Sequence, residues 1–181
     1  MMRFFFIAIF LCCTTIAVAP GTLLSEIDWC NRKQISWSDF WRNPDPYSRY
    51  SAVSATYLQE KHACDNFGQF KYSVKAVFVK DQSWSRDKRS TRLLHHEQLH
   101  FNLTELHARK LRKLFSDLRN PCYIPERRIQ LMIDSLYDKM EFAHRFYDDD
   151  TFHGLNNERQ QFWDDLVNSA LEELAPFSCE Q

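Results

Sequence analysis

The chain has 181 residues, of which 44% are hydrophobic and 15% aromatic, and this predicts one compact domain rather than two. Lys and Arg total 23 against 24 Asp and Glu, and the net charge of -1 excludes a broad electrostatic attraction to nucleic acid or anionic lipid. Three glycines, six prolines and no internal repeat also exclude a flexible linker or a repeat protein.

The N-terminus has the pattern of an export signal, because a basic residue is followed by an apolar stretch over residues 4–19. Small residues follow the apolar stretch, and we place cleavage after Gly21, since peptidases disfavour a cut directly before a proline. An uncleaved anchor is the alternative, but about 16 apolar residues are short for a membrane span of about 20. The sequence therefore predicts a signal peptide over residues 1–21, a mature domain over residues 22–181 and a secreted or periplasmic location.

Four cysteines belong to the predicted mature domain. They are Cys30, Cys64, Cys122 and Cys179. An even number of cysteines in an exported chain predicts up to two disulfides, and four cysteines allow three pairings, among which the sequence does not choose. Their wide spacing, without a Cys-x-x-Cys pair, argues against a cysteine-ligated zinc ribbon.

The first half of the predicted domain carries strand patterns. Residues 34–50 are rich in aromatic side chains and end in a proline-containing turn, which predicts a short strand or extended arm. Residues 51–58 and 70–80 alternate apolar and polar side chains, which predicts two strands with one buried face, and Gly68 lies in the turn between them. If residues 70–80 form the sheet edge, an extended peptide could pair with them. Trp84 is expected in the core.

The second half carries helix patterns. Leucines recur every three to five residues after Ser90, a candidate N-cap, and predict a long amphipathic helix that ends before Pro121. Residues 125–146 and 156–174 have apolar stripes of helical period, and we expect the aspartates at 148–150 to stop the second helix. Strands followed by helices predict an α+β fold with a small N-terminal antiparallel sheet and three helices.

The predicted first helix contains the sequence His-Glu-Gln-Leu-His at residues 96–100. His96 and His100 differ by about 40° around a helix and about 6 Å along it, so both imidazoles can bind one metal ion. Glu97 can take a proton from a metal-bound water instead of binding the metal. This H-E-x-x-H pattern predicts His96 and His100 as Zn²⁺ ligands and Glu97 as the general base. The structural alternative is that the two histidines merely pack on a helix face.

A catalytic zinc usually takes a third protein ligand and keeps one position for water. His107 lies about 10 Å beyond His100 along the predicted helix. One metal ion therefore cannot bind His96, His100 and His107 together. Glu105 points away from His96 and is interpreted as a surface or ion-pair residue. Four basic residues of the same helix are predicted to form a solvated face: Arg109, Lys110, Arg112 and Lys113.

Three later residues are further candidates for the third ligand. His144 and Glu141 lie on the predicted second helix, and we prefer a structural role for both. His153 is better placed, because a ligand from an irregular segment can approach the open side of a helix-borne pair. Gly154, which has no side chain, lets the backbone turn closely past the histidine pair.

Three stretches resemble a family of predicted secreted bacterial zinc-dependent proteases that is described as a domain of unknown function. They are residues 35–45, with Ile-Ser-Trp-Ser-Asp-Phe and Pro-Asp, residues 96–112, with the H-E-x-x-H pattern and Ala-Arg-Lys-Leu-Arg, and residues 147–154, with Tyr-Asp, Thr151 and His-Gly. The resemblance implies a zincin-like metalloprotease with His153 as third zinc ligand. It also implies that Tyr147 hydrogen-bonds the developing oxyanion. Asn102 stands where the pattern leads us to expect an acidic residue, a change that leaves the ligands intact.

The sequence thus predicts an exported zinc-dependent metalloprotease whose partner is a peptide or protein substrate. The alternative is a non-catalytic exported zinc-binding protein with a structural or interaction role. Such a closed site would need a fourth protein ligand and would have no use for Glu97.

Overall fold

A computed structural model describes residues 25–179 of the chain. The predicted signal peptide, residues 1–21, lies outside them. The described chain has short antiparallel strands first and three long helices after them, which confirms the predicted α+β class. No helix among the described residues is long and apolar enough to cross a membrane.

The larger sheet has three antiparallel strands in the order β1, β4, β3. Strand β1 spans Glu26–Asp28, β3 spans Thr56–Cys64 and β4 spans Phe70–Val79. Strands β3 and β4 form an antiparallel hairpin, and Gly68 lies in the predicted turn with φ +74, a conformation that glycine adopts without strain. Strand β1 pairs with residues 77–79 of β4, so this end of β4 lies between two strands and is not the sheet edge that the sequence allowed.

Two short strands form a second, separate sheet. Strand β2 spans Ala52–Val53 and pairs antiparallel with β5, which spans Trp84–Ser85. The predicted strand over residues 51–58 is therefore divided between β2 and β3. Trp84 is 4% exposed, which confirms its predicted place in the core.

The segment 34–50 contains a 3₁₀ helix, Trp37–Asp39, and no strand. Asp39 is the reason, because its carboxylate accepts from the Ser36 backbone at 2.9 Å and pairs with Arg32 at 2.6 Å. Such local side-chain bonds to the backbone compete with strand formation. The predicted strand or extended arm is thus replaced by a short helical turn.

Helix α1 spans Thr91–Asp117, and the Ser90 hydroxyl caps it by accepting from the Leu93 backbone at 3.1 Å. The helix packs against β3 and β4 on one side and against two later helices on the other. It contributes side chains to both apolar cores, for example Phe101 to one and Leu103 to the other. Its position is therefore fixed from both sides.

The polar face of α1 is partly buried, contrary to the sequence interpretation. Glu105 is fully buried and forms ion pairs with Arg109 and Arg112, each at 3.0 Å. Arg109 and Arg112 are 6% and 3% exposed, so only Lys110 and Lys113 of the four basic residues lie on a solvated face. The ion-pair interpretation of Glu105 is confirmed, and its surface location is wrong.

Helix α2 spans Glu126–Thr151 and helix α3 spans Asn157–Glu173. The aspartates at 148–150 do not stop α2. Two of them have partners from other elements: Asp148 lies 3.0 Å from His96 and His100 of α1, and Asp150 pairs with Arg159 of α3 at 2.6 Å. A helix that gains such partners tolerates acidic residues near its C-terminus.

Two disulfides close the domain, as the cysteine count predicts. Cys30 pairs with Cys179, and Cys64 pairs with Cys122. The first bond joins the end of β1 to the last described residue, and the second joins the β3–β4 hairpin to the segment before α2. The structure thereby selects one of the three pairings that the sequence left open.

Candidate metal centre

Helix α1 brings two histidine rings to one point. The ring centroids of His96 and His100 are 5.0 Å apart, and the rings are nearly perpendicular. Both residues are buried, with 1% and 9% exposure. The two predicted ligands are thus together, as their spacing of one helical turn requires.

Asp148 of α2 meets both rings with a single oxygen atom. Its Oδ1 lies 3.0 Å from His96 Nε2 and 3.0 Å from His100 Nε2. The three residues offer ligand atoms within 4.8 Å of one another. Burial alone would raise the pKa of Asp148, but the hydrogen bonds from His100 and His96 outweigh it and hold that pKa well below its usual range.

Sequence reasoning missed Asp148, because it placed the end of the second helix at this residue. The signal was available in the spacing from His144, since a continuing helix puts Asp148 on the same face one turn later. Tyr147 and Asp148 also begin the third stretch of the family resemblance. The helix continues to Thr151, and so Asp148 faces α1 instead of leading a loop.

His153 lies at the rim of this cluster. Its Nδ1 is 3.4 Å from Asp148 Oδ1, its side chain is 44% exposed, and its ring contacts Tyr50 with centroids 5.1 Å apart. It follows α2 in a left-handed backbone conformation, φ 54. The predicted third ligand therefore borders the cluster, while Asp148 belongs to the close group with both histidines.

Glu97 is buried at 3% exposure and lines the cavity beside the histidines. Within residues 25–179, its carboxylate forms no hydrogen bond or ion pair. Its backbone carbonyl accepts from the Ser54 hydroxyl at 3.3 Å, which links α1 to the segment just before β3. The carboxylate is thus available to a molecule in the cavity.

Tyr147 does not face the cavity. It is fully buried, its ring stacks on His96 with centroids 4.6 Å apart, and its hydroxyl lies 2.9 Å from Gln160 Oε1 and 3.1 Å from the His96 carbonyl oxygen. Burial raises the pKa of its hydroxyl, so the group stays protonated. The predicted role of Tyr147 at an oxyanion does not fit this position behind His96.

His144 contacts the far side of the His100 ring. The two Nδ1 atoms are 2.9 Å apart, and His144 Nε2 is 3.3 Å from the Thr104 hydroxyl. Burial and the neighbouring His100 lower the pKa of His144 to about 3, so His144 is neutral and accepts the Nδ1 proton of His100. Burial opposes protonation of His100, but Asp148 outweighs it and raises the pKa of His100.

Gly154 allows the segment after α2 to pass directly over His96. A Cβ atom at Gly154 would lie 2.8 Å from His96 Cβ and 2.9 Å from its Cγ, closer than real contacts allow. Its φ of +74 is also a conformation that favours glycine. The predicted need for a close backbone approach at this glycine is therefore confirmed.

The cluster opens into a cavity of about 310 Å³. One wall is the extended segment 50–56, and the other carries Glu97, His153 and the clustered ligands. Segment 50–56 bonds to the chain around β5, through Ala52 with Ser85 and Arg86 N with Ser51 O at 2.9 Å, and to β4, through Val79 N with Ala55 O at 2.8 Å. Among the described residues, β5 is the one strand beside β2. This segment, not β4, is the strand edge beside the site.

The other candidates from the sequence lie apart from the cluster or at its margin. His107 donates from Nδ1 to the Leu103 carbonyl at 2.9 Å, and burial lowers its pKa to about 4. Glu141 is exposed and lines the cavity mouth. Neither residue joins the close group of His96, His100 and Asp148.

Residues 71–154 match a bacterial family of unknown function. The description of that family is "Bacterial protein of unknown function (DUF922)". The matched stretch begins in β4, contains all of α1 and α2 and ends at Gly154, so it includes every residue of the cluster and excludes α3. No curated protein and no solved structure matches the chain.

Proposed function

We propose that this chain is an exported zinc-dependent metalloprotease in which His96, His100 and Asp148 hold Zn²⁺ and Glu97 is the general base. The observation that carries the proposal is the convergence of both histidine Nε2 atoms on one Asp148 oxygen, each at 3.0 Å. Asp148 replaces His153 in the ligand set because it belongs to the group whose ligand atoms lie within 4.8 Å of one another and because it is less exposed.

The chemistry of the cluster fits a divalent cation. Two imidazole nitrogens and a carboxylate oxygen are donors that zinc accepts in catalytic sites, where a fourth position holds water. A neutral imidazole nitrogen and a carboxylate oxygen repel each other at 3.0 Å unless a cation or proton lies between them. The adjoining cavity has room for a coordinated water and a substrate.

The residues around the cluster can carry out hydrolysis. Zinc bound there would lower the pKa of a coordinated water to about 7 and polarise a substrate carbonyl. Glu97, which lines the cavity, would accept a proton from that water and pass it to the leaving amine. His153 lies at the rim, where its ring can donate to the developing oxyanion, a role that the buried Tyr147 cannot take.

An extended peptide fits the cavity because one wall is a strand edge. Strand β2, within segment 50–56, has β5 as its one neighbouring strand among the described residues, and the segment lines the cavity. A peptide lying across the cluster can add to that edge through main-chain hydrogen bonds. This favours peptide bonds over small esters as the substrate.

The number of ligands argues against a purely structural zinc site. Structural zinc sites take four protein ligands, whereas the close group within residues 25–179 has three members. Glu97 also lines the cavity, and a purely structural zinc site needs no carboxylate there.

Export is part of the same proposal. The apolar segment over residues 4–19 precedes a domain whose four cysteines form two disulfides. Disulfides persist in oxidising compartments such as the periplasm and the extracellular space.

The central experiment combines a zinc determination with cleavage of a peptide library. Wild-type protein is expected to hold about one zinc per chain and to cleave peptides. Glu97→Gln is expected to keep the zinc and to lose more than about 100-fold of the turnover, because the water loses its proton acceptor. Glu172→Gln makes the same change at an exposed position of α3 and should leave both measurements unchanged.

Two results would overturn this proposal. One is a wild-type chain that holds no zinc after dialysis against a zinc solution. The other is full peptide cleavage by Glu97→Gln. If the cleavage by Glu97→Gln still needs zinc, it refutes the role of Glu97 and leaves the proposed metal ligands standing.

A further inference from the structure

We propose that Gln160 is the positioning residue for His96: its amide oxygen keeps the proton on His96 Nδ1 and so leaves Nε2 as the metal-binding nitrogen. This inference rests on the proposed metal site. Its central claim, the location of one proton, can nevertheless be measured without any metal.

Gln160 reaches the back of the His96 ring from α3. It is 6% exposed, and its Oε1 lies 3.1 Å from His96 Nδ1 and 2.9 Å from the hydroxyl oxygen of Tyr147. An amide oxygen can only accept hydrogen bonds, so both neighbours must donate to it. His96 Nδ1 therefore carries a hydrogen.

Asp164 determines which end of the Gln160 amide faces His96. Gln160 Nε2 donates to Asp164 Oδ1 at 3.2 Å, and the other carboxylate oxygen lies 2.7 Å from His95 Nε2. A carboxylate held by a histidine donor only accepts, so the amide nitrogen must face Asp164. The amide oxygen is left for His96, and His95, next to the proposed ligand, acquires a role through Asp164.

The ring of His96 has little freedom to turn away from this arrangement. It is 1% exposed and stacks on Tyr147 at an interplanar angle of 24°. Its two nitrogens consequently face different groups, Nδ1 towards Gln160 and Nε2 towards Asp148. Metal-binding histidines generally donate their second nitrogen to such an acceptor, which orients the ring and raises its basicity as a ligand.

The proton can be located by NMR of protein labelled with ¹⁵N-histidine. One-bond ¹H–¹⁵N correlation is recorded with and without zinc chloride, and His96→Gln assigns the signal. A protected Nδ1–H of His96 is expected in both wild-type samples and should be lost or exchange rapidly in Gln160→Met. A wild-type His96 without a hydrogen on Nδ1 overturns the proposal. Retention of Nδ1–H in a wild-type protein that binds no zinc supports the positioning claim and refutes the metal site.

Zinc affinity tests the consequence with three variants. Gln160→Met, which keeps the side-chain length and removes the acceptor, should weaken zinc binding about 10- to 100-fold. Gln161→Met makes the same change at the exposed neighbour and should bind as wild type. Gln160→Glu combined with Asp164→Asn exchanges the carboxylate and the amide while preserving each hydrogen bond, so its affinity should lie within a few-fold of wild type.

Thermal melts accompany these titrations. If Gln160→Met fails to fold, the exchange variant and the NMR signal still decide the question. Wild-type zinc affinity in a folded Gln160→Met, or an exchange variant as weak as Gln160→Met, would contradict the proposal.

Discussion

One oxygen atom of Asp148 lies 3.0 Å from Nε2 of both His96 and His100, whereas the next residue, Asp149, is exposed. The pair therefore offers a matched test of the third ligand. Asp148→Asn should weaken zinc binding by more than about 100-fold, because changes around a ligand already cost 10- to 100-fold. Asp149→Asn should bind as wild type in the same titration.

The same titration separates Asp148 from His153. If Asp148 is the ligand, His153→Gln keeps most of the zinc affinity and loses turnover, since its ring lies at the rim. The opposite result, zinc lost in His153→Gln and kept in Asp148→Asn, would restore the ligand set that the family resemblance implies.

Gly154 gives a second prediction at this scale. Gly154→Ala places a methyl group 2.8 Å from His96 Cβ and requires an alanine at φ +74. Strain of this kind costs about 1–3 kcal/mol, so the melting temperature should fall. Zinc affinity should fall as well, because the methyl group displaces a ligand ring. Gly68→Ala is the control: it has the same φ with open space around it, and it should lose stability without losing zinc affinity.

At the scale of elements, α1 and α2 owe their ends to different causes. The start of α1 follows from the local Ser90 cap, and its sequence is sufficient to predict it. The end of α2 depends on partners from other elements, since Asp148 meets α1 and Asp150 meets α3. A local pattern of three aspartates therefore predicted a helix stop where packing extends the helix.

The contact between strand β3 and helix α2 should depend on pH. His62 of β3 lies 3.0 Å from Glu60 and 2.9 Å from Glu126 at the start of α2. Burial opposes its charge, but hydrogen bonds to both carboxylates outweigh this and raise the pKa of His62 above 6.5. Its contribution to stability is therefore complete below the ordinary pKa of about 6.5 and is lost as pH rises through the higher folded value.

Thermal melts between pH 5.5 and pH 8.5 test this contact. His62→Gln should lower the melting temperature more at the acidic end, so that the variant and wild type converge as pH rises. Lys61→Gln, an exposed change on the same strand, should shift the melt equally at both ends. A His62→Gln variant whose deficit grows with pH would contradict the assignment.

At the scale of the whole molecule, the disulfides join segments that are far apart in sequence. The separations are 149 residues for Cys30–Cys179 and 58 residues for Cys64–Cys122. In the chain-entropy model a crosslink stabilises more as the closed loop lengthens, by about 4–5 kcal/mol for loops of this size. Cys30→Ser with Cys179→Ser should therefore lower the melting temperature more than Cys64→Ser with Cys122→Ser. Peptide mapping without reductant checks the pairing, and any other pairing would refute this prediction.

Local patterns in the sequence were sufficient for the fold class, strand β4, the three helices and the pairing of His96 with His100. Each of these depends on residues a few positions apart, whose periodicity, caps and spacing act before the chain folds. Asp148, Gln160, the disulfide pairing and the central place of β4 were decided only by the tertiary structure. Those features join residues about 50 or more positions apart, and packing, which neutralises their charges and satisfies their hydrogen bonds, has no signature in a local pattern.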